Sequence, residues 1–184
     1  MTEQIIQLST ILESNDLIAD FRQWSFQIAD YIYKARSDTK LTTIFGNGGS
    51  AADSQHWAAE LMCTYKSKIR KPFPVVALTT DSSLLTAWSN DFDFSSIFSR
   101  QIESFGPING LSIGMSTSGK SINVLEALST AKTYGARTIL ISGSSISVIP
   151  EFDLHVRLPS SDTPIIQSLT QMLYHEVCQN LEDQ

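Results

Sequence analysis

Leu41-Thr42-Thr43-Ile44-Phe45-Gly46-Asn47-Gly48-Gly49-Ser50-Ala51-Ala52-Asp53-Ser54-Gln55-His56-Trp57-Ala58-Ala59-Glu60 runs from an apolar stretch, through a glycine-rich turn, into a segment with an imidazole and a carboxylate four residues apart. The apolar stretch has the length and composition of a buried strand, Thr42 to Phe45. The turn at Gly46, Asn47, Gly48, Gly49 and Ser50 admits two readings: a tight strand-to-helix connection, or an anion cradle. Glycines let the backbone come close to an anion, and the unpaired amides of the following helix's first turn point at the charge. Along that helix positions i and i+4 share a face, so His56 and Glu60 lie together. Imidazole and carboxylate are ligands for zinc and groups for proton transfer. Trp57, Ala58, Ala59, Leu61 and Met62 make the helix apolar around much of its circumference, which predicts substantial burial.

Working outward, further strand-like runs occur at Val75 to Leu78, Leu111 to Met115, Thr138 to Ile141 and Asp153 to Leu158, and a last helix is predicted from Pro164 to Leu181. Residues 3–36 read as one or two amphipathic helices, broken near Ser14-Asn15-Asp16 by residues that favour capping. Strands alternating with helices imply an α/β three-layer sandwich: a mainly parallel central sheet of about five strands flanked by helices, with ligands at the strands' carboxyl ends. No linker or repeat divides the chain, so 1–184 is expected to form a single domain.

After the third of these strands comes Ser116-Thr117-Ser118-Gly119-Lys120-Ser121, leading into a helix from Ile122 to Tyr134. The hydroxyls and glycine at a helix start suit either simple capping or a phosphate held by side chains and amides together. Lys120 either adds charge to the loop or is solvated. The upstream glycine spacing of a Walker A loop is missing, which argues against nucleoside triphosphate binding.

Composition narrows the class. With 184 residues and 42% hydrophobic content the chain can bury one sizeable core, and no apolar run is long enough to span a bilayer. Met1-Thr2-Glu3-Gln4 lacks the basic start of a signal peptide, so a cytoplasmic location is expected. A formal net charge of −6 disfavours an extended nucleic-acid surface. Cys63 and Cys178 are each expected inside a helix as reduced, buried thiols.

Taken in order, Phe45 to Asp53, Gln55 to Leu61, Ala77-Leu78-Thr79-Thr80-Asp81, Ser89-Asn90-Asp91 and Ser116 to Ser121 resemble the sugar isomerase (SIS) domain family, and within it the phosphoheptose isomerases. The similarity runs from about residue 40 to the end, behind a comparable N-terminal helical segment, 1–36. The resemblance implies conversion of sedoheptulose 7-phosphate to D-glycero-D-manno-heptose 7-phosphate, towards the heptose units of bacterial surface glycans. It implies homotetramers with active sites between subunits and one zinc per subunit at His56, Glu60, Gln167 and His175. It also implies that Glu60 is the base and His175 its acid/base partner, and that Ser116, Thr117, Ser118 and Ser121 bind the phosphate. Asn47, Gly48, Gly49, Ser50, Asn90, Asp91 and Gln167 would complete the substrate site with Glu60.

Some positions depart from the family. Thr64 stands where many members have an arginine, Ile165-Ile166-Gln167 replaces an Arg-Ile-Gln sequence, and Gly143 to Ser147 replaces an Asp-Gly-Gly turn. An isomerase of another sugar phosphate, or a non-catalytic SIS module that binds phosphosugars or a replication initiator, is the alternative reading. At ~1.5 Å rise per residue, Gln167 and His175 are about 12 Å apart along a helix. Either Gln167 lies at a bent helix start, or the ligands of one ion come from different subunits.

Overall fold

The computed structural model describes residues 2–182. Two helices precede the sheet: α1 (Glu3–Leu12) and α2 (Asn15–Ser37), separated where the Ser14 side chain accepts a hydrogen bond from the Leu17 amide and so starts α2. Then follow β1 (Leu41–Gly46), α3 (Gly49–Met62), β2 (Val75–Ala77), α4 (Ser82–Asp91), α5 (Ser99–Phe105), a short 3-10 turn at Gly106–Ile108, and β3 (Asn109–Met115). The chain ends with α6 (Ile122–Thr133), β4 (Arg137–Gly143), β5 (Leu154–Leu158) and α7 (Thr163–Leu181). The expected strands are all present, within two residues of the ends read from sequence.

The sheet is wholly parallel, in the order β2-β1-β3-β4-β5. Its strands bury apolar side chains on both faces because helices cover both, with the hydroxyls of Thr42, Thr43, Ser112, Thr138 and Ser142 buried among them. On one face Ile44, Ile113, Ile139 and Val156 meet α2, α3 and α7 through Ile32, Trp57 and Leu173. On the other, Phe45 and Leu140 pack with Ile102 of α5 and with Val124 and Leu128 of α6.

Strand order determines where a ligand fits. β1 has β2 on one side and β3 on the other, so the connections leaving β1 and β3 diverge to opposite faces and open a crevice at their carboxyl ends. Gly46 pairs with Met115, so the glycine-rich turn and the hydroxyl loop start at the same level on neighbouring strands.

Two expectations about α3 and the cysteines are corrected. α3 is buried along one face only, at Ser50, Ser54, Trp57, Ala58 and Leu61, while Ala52, His56, Ala59 and Met62 are exposed. Within one chain the sheet and α7 cover a single side of this helix, and no described residue covers its remaining apolar surface. Cys63 is exposed and lies past the end of α3, because the backbone leaves helical geometry at that residue. Cys178 is a buried free thiol, as expected, and burial pushes its pKa up to about 12.

Candidate functional site

Gly48 has φ +57°, a conformation open to glycine and costly for other residues, and it precedes the first turn of α3. The turn is braced by a reciprocal amide pair: Asn47 Nδ2 donates to Asn123 Oδ1 and Asn123 Nδ2 to Asn47 Oδ1, both at 2.9 Å. This pair ties the turn to the start of α6. Gly49 has a different reason to lack a side chain. A Cβ there would sit 2.2 Å from Nε2 of Gln167, so the Gln167 carboxamide fills the space over the start of α3.

The hydroxyl loop curls on itself. Ser116 Oγ donates to Ser121 Oγ at 2.9 Å and accepts from the Ser121 amide at 3.2 Å, and the Lys120 amide donates to Ser118 Oγ at 3.2 Å. Ser121 occupies the cap position of α6, yet its side chain makes no capping hydrogen bond to the helix. Capping therefore does not account for Ser121, whose hydroxyl is turned into the loop. Lys120 is exposed. Thr163, which opens α7, donates to Thr117 Oγ1 at 3.4 Å and links this loop to the helix that carries Gln167 and His175.

Further along α3 is the titratable cluster. α3 and α7 both leave the carboxyl ends of parallel strands and lie side by side in the same direction, so Gly49 faces Gln167 and, two turns later, His56 faces Tyr174 and His175. Donor atoms of His56, Glu60 and His175 all fall within 4.8 Å of one another. His56 Nε2 is 3.0 Å from Glu60 Oε1, and His56 Nδ1 is 2.8 Å from the Tyr174 hydroxyl. Tyr174 is fully buried, stacks on Trp57 at 5.5 Å, and has its pKa raised chiefly by that burial, so it stays a neutral hydroxyl. A hydroxyl serves either imidazole tautomer: it donates to bare Nδ1 while Nε2–H points at Glu60, and accepts from Nδ1–H when Nε2 is bare. Tyr65 stacks on the His175 ring at 5.7 Å. Burial and neighbouring His56 lower the pKa of His175, which favours the neutral imidazole a metal or a proton-transfer role needs. Asp53, one turn before His56, has a raised pKa owing mainly to desolvation.

The SIS domain family model matches residues 26–143. A phosphoheptose isomerase from Geobacter sulfurreducens is 48% identical over 142 residues, covering 76% of this chain and 74% of that protein. Among solved structures, the phosphoheptose isomerase from Neisseria gonorrhoeae superposes with a TM-score of 0.82 at 31% identity, over 95% of this chain and 93% of that one. That from Francisella tularensis has a TM-score of 0.83 at 25% identity, with all of both chains covered. The chain belongs to the SIS-domain phosphoheptose isomerases.

Within this family frame the chain gathers some expected residues and leaves others apart. His56, Glu60 and His175 converge, whereas Gln167 stands beside Gly49, just over two helical turns or ~12 Å back along α7 from His175. Gln167 lies in the second turn of an unbroken helix, so the bent-start explanation does not describe this chain. Asn90 and Asp91 are exposed at the end of α4; Asn90 donates to Asp91 at 2.8 Å, and no hydrogen bond among the described residues joins either to the two loops. Thr64 donates to the Ser67 carbonyl at 2.9 Å within its own turn. Ile165 is 2% exposed, so the position of the family arginine is here part of the core. Sequence reasoning missed Tyr174 and Tyr65. Tyr174 has only its place beside His175 in an apolar helix as a signal, and its role depends on the register of α3 against α7.

Because Gly49 and Gln167 are complementary in shape, Gly49→Ala should destabilise the fold by about 1–3 kcal/mol through overpacking. Adding Gln167→Ala should restore most of that loss. Urea unfolding of both variants checks it, and equal destabilisation with and without Gln167 would show that the two residues do not meet.

Proposed function

We propose that the protein is an aldose-ketose isomerase that converts sedoheptulose 7-phosphate to D-glycero-D-manno-heptose 7-phosphate in the cytoplasm, supplying heptose for bacterial surface glycans. The observation that carries this reading is the convergence of His56, Glu60 and His175 in a chain that also has two anion-suited loops at the sheet's switch point. A non-catalytic phosphosugar-binding module has no need of that cluster.

The chemistry assigns a role to each group. The phosphate is held by the hydroxyls and amides of Ser116, Thr117, Ser118 and Ser121, with Asn47, Gly48, Gly49, Ser50, Asn90 and Asp91 addressing the sugar. Glu60 removes the proton from the carbon beside the ketose carbonyl, giving an enediol, and returns it to the neighbouring carbon. His175, neutral and beside Glu60, carries the proton between the two oxygens. His56, held by Tyr174, keeps Glu60 oriented.

Two imidazoles and a carboxylate are a donor set that suits zinc, and His56, Glu60 and His175 would hold it with Gln167 as a fourth ligand. When bound, zinc supplies Lewis-acid polarisation of substrate oxygens and stabilises negative charge on them. Glu60 acts as base only while its carboxylate is free of the ion.

A second copy of the chain is part of this reading. Glu60 is eleven residues beyond Gly49, about 16 Å along α3. A seven-carbon sugar phosphate does not span that distance from the loops of its own chain. The loops of one subunit and the cluster of another would together form one site, and Gln167 would reach the ion from the neighbouring copy. The uncovered side of α3 and the exposed Ile5, Ile6, Ile18 and Phe26 of the N-terminal helices are apolar surface suited to such contacts.

Elemental analysis of the purified protein should find about one zinc per chain, and simultaneous replacement of His56 and His175 should remove it. Tyr174→Phe should weaken zinc about 10–100-fold, read by competition with a chromophoric chelator. Stoichiometric zinc in the double-histidine variant would refute the assignment.

Glu60→Gln should abolish turnover while largely retaining sugar-phosphate binding, measured by calorimetry beside an NMR assay of aldose formation. Activity within a few-fold of the parent would mean that Glu60 is not the base.

Light scattering is expected to report a homotetramer, with activity lost as dilution dissociates it. A fully active monomer would disprove the shared site.

A further inference from the structure

A second cavity, of about 880 Å³, opens where the last turns of α2, the segment after α3 and the end of α7 meet. α2 leads into the first residues of β1, so this cavity lies at the amino end of the sheet, one strand length, ~20 Å, from the loop crevice. The chain as a whole carries a net charge of −6, yet among the described residues the charged groups lining the cavity are Arg36, Lys66, Arg70 and Lys71 against Glu182.

Helix carboxyl ends collect cations because their last carbonyls are unpaired and the dipole is negative there. That explains Arg70. Its guanidinium donates to the carbonyls of Glu60, Leu61 and Lys71 and pairs with Glu182 at 3.1 Å, the two side chains being 2% and 6% exposed. It does not explain Arg36, whose guanidinium makes no hydrogen bond or ion pair among the described residues and whose Nη1 is buried without an acceptor. Arg36 is held against Phe73, 4.4 Å from the ring centroid, and near Tyr33 at 5.3 Å. Among the described residues Lys66 bonds a neutral amide oxygen, that of Gln179 at 2.5 Å, and lies 5.2 Å from the Tyr65 ring centroid, and Lys71 is exposed with no ion pair.

With Arg70 and Glu182 offsetting each other, Arg36, Lys66 and Lys71 leave three positive charges around one cavity that no acid among the described residues pairs. Such a concentration raises the local potential against the acidic background and favours an anion of more than one charge. The planar donors of Arg36, held by aromatic contact, and the ammonium of Lys71 suit the oxygens of a phosphate group, whose charge exceeds that of a single carboxylate.

We propose that this cavity is a second anion site, separate from the sugar-phosphate crevice, that takes a small phosphate- or diphosphate-bearing molecule on Arg36 and Lys71, with Lys66 at its rim. It does not depend on the isomerase reading. Sodium pyrophosphate is the probe, titrated calorimetrically into the full chain at low ionic strength in a Ser116→Ala/Ser121→Ala background that weakens the crevice. About one pyrophosphate per chain should bind, at least ten-fold more weakly after Lys71→Gln or Arg36→Gln and unchanged after Lys68→Gln, an exposed lysine outside the cavity lining. Lys71 is exposed, so its replacement tests the site even if Arg36→Gln perturbs folding. Loss of saturable binding in the serine double variant, or binding indifferent to Lys71, would overturn the proposal.

Discussion

Parallel pairing of β1 with β3 is the constraint on which the rest of the structure depends. The two strands run side by side to Gly46 and Met115, and β2 is on the far side of β1, so the chain reverses its direction of winding between them. Helices leaving the two strands must go to opposite faces of the sheet, and the backbone amides at their starts are left around one crevice. The Asn47 and Asn123 carboxamides bridge that crevice and hold the two loops in a fixed relation. Had β1 and β3 been separated by another strand, the glycine turn and the hydroxyl loop would be two ordinary helix starts.

The same parallel arrangement governs the second functional element. α3 and α7 lie in one layer and point the same way, so a residue's partner on the other helix is set by how far each lies from its strand. Gln167 meets Gly49 near the start, and Tyr174 and His175 meet His56 further on. The Trp57 and Tyr174 rings stack beneath the polar cluster and exclude water from its base. This packing brings three groups with metal-binding and proton-transfer chemistry within reach of one another, and keeps the fourth expected ligand two turns away. Distance along a rigid helix is what makes a second chain part of the proposed site.

In an acidic chain, a site suited to anionic ligands rests on local geometry in place of net charge. The crevice offers hydroxyls and oriented amides, groups suited to a phosphate without contributing a full charge. Its one lysine is exposed, and the family's arginine positions hold Thr64, engaged in its own turn, and Ile165, buried in the core. Cations concentrate instead at the opposite end of the sheet, where Arg70 and Glu182 close the segment between α3 and β2 and Arg36 Nη1 is left without an acceptor among the described residues.

The sequence by itself determined the alternation of strands and helices, the short apolar runs of a covered parallel sheet, and the two loops. These features are written in local patterns: hydrophobic period, glycine placement, and hydroxyls at helix starts. It also held the pairing of His56 with Glu60, because one helical turn connects them. Only the tertiary structure decided that Tyr174 orients His56, that Gln167 fills the space at Gly49, that one side of α3 is left bare, and that Cys63 is outside its helix. Those outcomes depend on which residue of α7 slides opposite which residue of α3 and on how much of a helix one chain can cover. No local pattern encodes either, since both arise from contacts between segments more than a hundred residues apart.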